Sequence, residues 1–143
     1  MYQDVNLQFS AAQAITTTAV STNIVDLGQA RDMGAGDALE IDIRINTTFT
    51  GGTSLQVQLQ TAAVAAFTTP YNVVLTDAIP LASLVAGASI PLHWDRAAPY
   101  APQEFMRLNY VVVGTMTAGA LTAGVVKNIQ DAQNTSASGF AVI

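Results

Sequence analysis

Hydrophobic and polar residues alternate strictly from Ala38 to Asn46. Leu39, Ile41, Ile43 and Ile45 take one set of positions, and Glu40, Asp42, Arg44 and Asn46 the other. Successive side chains of a strand point to opposite faces, so a period of two predicts a β-strand with one face in the core and one in water. The pattern returns after Gly51-Gly52, where Leu55, Val57 and Leu59 alternate with Gln56, Gln58 and Gln60. These two segments predict a hairpin or a crossing from one sheet to another. Phe105–Val113, dense in aromatic and β-branched side chains, predicts a third long strand. Met106, Leu108, Tyr110 and Val112 share one of its faces; Phe105, Arg107, Asn109, Val111 and Val113 share the other. Both faces are largely apolar, which places this strand centrally in a sheet. Gly114 and Gly119 punctuate the chain before Ala120–Lys127 resumes a strand.

Shorter segments complete the pattern. Met1–Phe9 is an arm or a first edge strand. Ser10–Ala14 reads as a turn of helix capped by Ser10, or as an irregular lead-in. Ile15–Val20 and Thr22–Leu27 read as one strand interrupted at Ser21, and Gly28 ends it. Gln29–Asp37 is a charged loop with Gly34 and Gly36. Thr61–Thr69 is alanine-rich and carries no clear period. Tyr71–Leu75 is a short strand, Thr76–Pro80 a turn, and Ala82–Ala86 one helical turn. Ala88–Trp94 is extended, with Pro91 confining it to an edge or bulge. Phe140–Ile143 is an apolar tail after a small polar linker; it reads as a last strand or as a peg for a neighbouring subunit. About eight strands with turn signals every 8–12 residues predict an all-β, jelly-roll-like β-sandwich.

Composition sharpens this picture. The 143 residues suggest a single domain, 1–143, large enough for a real core. Only 10% of them are charged, against about 25% in ordinary soluble domains. The outside must therefore be rich in Thr, Ser, Asn and Gln, or be covered in part by a partner. The net charge is −5 and the five basic residues stand singly, which argues against nucleic-acid binding. The sequence shows no apolar window of membrane-spanning length, so no membrane partner is expected, and no secretory signal is expected at the start. With no cysteine, disulfides and thiolate chemistry are excluded.

The search for a reactive site yields little. His93, the one histidine, stands beside Trp94 and Asp95 and reads as a partly buried residue near an edge strand. No serine elbow accompanies it, and one histidine cannot build a His-rich metal site. Glu40 and Asp42 fall about 7 Å apart on one strand face, but Arg44 follows them, as on any solvated strand. The Gly34–Gly36 loop matches neither a phosphate cradle nor a calcium loop. No cofactor, metal or catalytic residue is expected, and the chain does not read as an enzyme. Trp94, Tyr100, Tyr110 and Phe105 could line a sugar platform, which keeps a carbohydrate-binding jelly-roll module as the alternative.

Three segments taken together carry a resemblance. Ser10–Ala14 leads into Ala19–Gly28; Ala30-Arg31-Asp32 is followed by Gly34 and Gly36; and Phe105–Tyr110 precedes Gly114, Thr117-Ala118-Gly119 and Thr122-Ala123-Gly124. In this order and spacing the chain resembles the capsid cement (decoration) proteins of tailed bacteriophages, of the type found on a Bordetella podophage. The resemblance implies a jelly roll bound to the outer surface of an icosahedral shell in the virion. Its partners would be the major capsid protein and itself, as a homodimer or a trimer. No catalytic residue carries over, and the carbohydrate-binding alternative would be a jelly-roll module of a phage tail or surface protein. Exposure alone nominates the capsid-binding residues: Tyr2 and Asp4 in the arm, Arg31, Asp32 and Asp37 in the charged loop, and Glu40, Asp42 and Arg44 on the polar strand face.

Overall fold

The computed structural model describes residues 4–30, 39–94 and 103–126. Ten strands run through them: β1 Gln8–Ala14, β2 Ala19–Val20, β3 Val25–Asp26, β4 Leu39–Thr50, β5 Ser54–Ala62, β6 Tyr71–Leu75, β7 Ile79–Pro80, β8 Ser89–Trp94, β9 Phe105–Val113 and β10 Ala118–Val126. Among the described residues the only helical elements are two single 3-10 turns, Val5–Leu7 and Leu81–Ser83.

The strands form two antiparallel sheets. One has the order β1-β10-β4-β8. In the other, β9 and β5 are central; β2 and β3 both line the outer edge of β9, and β6 and β7 both line β5. Counted as two interrupted strands, β2/β3 and β6/β7 reduce the ten to eight. The first then pairs the last, the second the seventh, the third the sixth and the fourth the fifth. That is one long antiparallel hairpin rolled up, the jelly roll. Rolling brings β10 against β4 and β9 against β5, which closes the sheets. The predicted all-β jelly-roll sandwich is therefore what the chain forms, and the β4–β5 connection is a crossing between sheets rather than a hairpin.

The interruption at Ser21 has a hydrogen-bonding cause. Its N–H donates to the Leu108 carbonyl, its hydroxyl accepts from the Leu108 N–H, and that hydroxyl also donates to the Asn23 carbonyl. A side chain thus replaces one rung of the ladder between β2 and β3.

The alternating segments bury the faces their pattern predicts. Ile41, Ile43 and Ile45 of β4 meet Leu55, Val57 and Leu59 of β5 and Leu108 and Tyr110 of β9 in one continuous core. Each fully buried Leu or Ile contributes about 1.5–3 kcal/mol relative to exposure. β9 is central, as expected from its two apolar faces. Pro91 sits in β8, which is at the edge of its sheet with β4 as its one ladder partner there, the placement that proline tolerates in a sheet.

Four local expectations are corrected. Ser10–Ala14 is neither helix nor lead-in but part of β1. Ser10 does not cap a helix: its hydroxyl bonds the Tyr110 hydroxyl at 2.7 Å and the Gln13 side chain at 2.7 Å. Ala12 adopts φ +46°, and the β1–β10 register shifts around it. Ile15–Thr18 is not strand, although Ile15 is fully buried and bonds the Gly119 carbonyl. β4 runs on to Thr50, past the expected end at Asn46, because Phe49 enters the core opposite a bulge at Gly119. Finally, Ile79–Pro80 is a short strand and the helical turn comes earlier, at Leu81–Ser83. The charged loop from Arg31 and the tail Phe140–Ile143 lie outside the described residues.

Candidate functional site

The outer face of the β1-β10-β4-β8 sheet carries the polar strand residues nominated above. Register sets His93 beside Glu40, Pro91 beside Asp42, and Ser89 beside Arg44. Asp42 is not solvated, contrary to expectation: it is 2% exposed. Its Oδ2 accepts from Arg44 Nε at 2.7 Å and its Oδ1 accepts from the Ser89 hydroxyl at 2.5 Å. A buried carboxylate is tolerable only when its lone pairs are filled, and here two neighbours on the same face fill them. Asp42 thus holds Arg44 in place and offers no surface of its own to a partner. Glu40 is partly exposed, with Oε1 3.6 Å from Nδ1 of His93. His93 itself is well exposed on the edge strand, not partly buried.

Asp4 is exposed, and its carboxylate accepts from the Asn6 N–H, which caps the first 3-10 turn. Tyr2, Arg31, Asp32 and Asp37 lie outside the described residues. An open groove of about 510 Å³ runs beside that turn, lined by Val5, Asn6, Gln8, Thr22, Asn23 and Ile24.

The outer face of the six-stranded sheet differs in kind. Gln56, Gln58 and Gln60 of β5 lie beside Val111, Asn109 and Arg107 of β9. Their carboxamides form a directed chain: Asn109 donates to Gln58, Gln58 to Gln56, and Gln56 to the Thr76 carbonyl. Gln60 donates to Asn72 and accepts from Arg107 Nε at 2.9 Å. The Arg107 guanidinium also lies 4.2 Å above the Phe67 ring, and burial lowers its pKa from the ordinary value. Val20, Leu75 and Val113 project from the same face, each at least 40% exposed. The sequence does not single out this face, because a run of glutamines on a strand has the pattern of ordinary solvated surface. The signal available was the pairing of an amide strand with an apolar-faced one.

Two of the four aromatic residues considered for a sugar platform are out of reach of a ligand. Trp94 is 2% exposed and Tyr110 is fully buried. Burial pushes the Tyr110 hydroxyl well above its ordinary pKa, and its Ser10 hydrogen bond acts more weakly in the other direction. Tyr100 lies outside the described residues. Among the described residues, no three His, Asp or Glu side chains gather as metal ligands would. Every buried side-chain polar atom among them has a hydrogen-bond partner.

No curated protein matches the chain. The Bbp16 family model matches residues 9–125, which takes in the eight whole strands β2 to β9 and all but one residue each of β1 and β10. By that match the chain belongs to the Bbp16 family, a family of phage proteins.

Proposed function

We propose that this protein is a structural component of the virion that binds the outer surface of the assembled capsid and bridges neighbouring major capsid protein subunits. It performs no reaction, uses no cofactor and binds neither nucleic acid nor membrane. Self-association as a dimer or trimer would let one molecule span two subunits. Membership of a phage family is the observation that carries this reading. It is supported by the jelly roll and by an outer sheet face whose carboxamides are held in order by hydrogen bonds to one another. A charge content of 10% suits a surface made to be covered.

The mechanism is mass action. A molecule that binds assembled shell, and not separated subunits, stabilises the shell by RT ln(1 + [L]/Kd), about 2.7 kcal/mol per site at 100 Kd. Many sites acting together resist rupture. The test compares the rupture temperature of particles with and without this protein. A rise on adding it back is expected, and equal temperatures refute the cementing role.

A further inference from the structure

We propose that the shell-facing surface is the outer face of the six-stranded sheet, and that its partner is an uncharged, hydrogen-bonding patch of the shell subunits. This rests on the capsid-binding reading above and names the surface that performs it. The charge distribution is the first argument. The chain carries a net −5, yet the central rows of this face, Gln56–Val111, Gln58–Asn109 and Gln60–Arg107, contain one cation and no anion. That cation is already engaged by Gln60 and Phe67. Covering these rows therefore strands no carboxylate; the anion at the margin of the face, Asp26, stands on the β3 edge opposite Phe105 and already accepts from the Gly28 N–H, whereas covering the opposite sheet takes Glu40 out of water.

The second argument is preorganisation. Carboxamides are flexible groups, and fixing each at an interface costs about 0.5–1.5 kcal/mol. Here Asn109, Gln58 and Gln56 are ordered in one donor-to-acceptor direction before any partner arrives. Each amide in the chain still has donor or acceptor capacity to offer outward. The third argument is the placing of the apolar residues. Val20, Leu75 and Val113 rim this array at 40%, 48% and 53% exposure, giving it apolar anchors beside fixed hydrogen-bonding groups.

The size is consistent with a site used many times over. Nine-residue strands and four strand positions give a face of roughly 30 Å by 20 Å, from ~3.3 Å per residue and ~4.8 Å between strands. At about 600 Å² per partner it reaches the lower end of stable interfaces, about 1,200 Å² in total. A contact of that size is modest singly and becomes strong when a self-associated molecule engages two subunits at once.

Salt and substitution test this with shells assembled from the phage's major capsid protein without this chain. Occupancy of the wild-type protein should change by less than about twofold between 50 mM and 500 mM NaCl, because screening acts on charges. Gln58→Lys and Val113→Asp should each lower apparent affinity at least about tenfold, since each buries an unpaired charge. Arg44→Glu should leave affinity within about threefold. Thermal unfolding of each variant confirms that it is folded, and the salt measurement needs no variant at all. A strong salt dependence, or loss of binding in Arg44→Glu with Gln58→Lys and Val113→Asp unaffected, overturns the choice of face while leaving capsid binding intact. Absence of wild-type binding overturns the capsid-binding reading and this inference with it. Should Gln58→Lys abolish self-association in solution instead of shell binding, the face belongs to a second copy and the proposal fails.

Discussion

Replacing Gly119 with alanine is expected to be among the most damaging single-methyl changes this fold can receive. Gly119 stands in β10 at φ +148°, a conformation that L side chains rarely adopt. Opposite it the β4 ladder carries two residues, Thr48 and Phe49, between the pairs Thr47–Ala120 and Thr50–Ala118. This bulge turns Phe49 under the glycine. A Cβ on residue 119 would lie 2.2 Å from Phe49 Cδ1 and 2.5 Å from Cε1 and Cγ. The Phe49 ring is 2% exposed and cannot swing into solvent without opening the core. Overpacking of this kind costs about 1–3 kcal/mol. The backbone strain adds about 1–3 kcal/mol. Together they make roughly 2–6 kcal/mol, a large part of the ~5–15 kcal/mol that holds a domain folded.

The cause can be separated from mere sensitivity of the position. Phe49→Ala alone should cost about 3–5 kcal/mol through the cavity it leaves. In the double variant the new methyl enters that cavity, so the clash disappears and only the strain remains. The double variant should then be about 1–3 kcal/mol more stable than the sum of the single losses predicts. Urea denaturation of the three variants, with unchanged slopes, measures this. A loss below about 1 kcal/mol for Gly119→Ala, or strict additivity in the double variant, would show that the ring does not press on the glycine.

Four further outcomes follow from side chains described above. Ser10→Ala, which leaves the buried Tyr110 hydroxyl without its partner, should cost about 1–3 kcal/mol in denaturant unfolding. Burial raises the Tyr110 pKa in the folded state, so its stabilising effect is complete below the unfolded value near 10 and is lost as pH rises above it. Tyr110→Phe should accordingly flatten the fall in stability on the alkaline side; an unchanged alkaline limb would contradict the buried hydroxyl. Asp42→Ala removes the partner of both Arg44 and Ser89 and should cost about 1–3 kcal/mol, discounted because Arg44 is one-third exposed. Equal thermal midpoints for wild type and Asp42→Ala would show that the pair contributes nothing. Ala12→Gly should raise stability by up to about 1 kcal/mol, since Ala12 is exposed at φ +46° and glycine adopts that conformation without strain. A lower unfolding midpoint would mean that glycine's extra freedom in the unfolded chain dominates.

Much of the sandwich was legible because period-two burial is a local property. Ile41, Ile43, Ile45, Leu55, Val57 and Leu59 announce their inward faces without reference to any other part of the chain, and Pro91 announces an edge. The nominated docking residues were legible only as polar positions. Asp42 falls on the outer face as its spacing requires, yet Arg44 and Ser89 enclose it, and Ser89 lies 47 residues away. Ser10 has the local signature of a helix cap, but its hydroxyl answers Tyr110, 100 residues further on. Alternation along a strand is set by neighbouring bonds, so the amino-acid order by itself determined which faces turn inward and that the fold is all β. Strand partners, the bulge at Gly119, the sealed carboxylate and the amide array depend on contacts between residues far apart in the chain. Only the rolling of the hairpin into two sheets could decide those, because it alone brings β10 against β4 and β9 against β5.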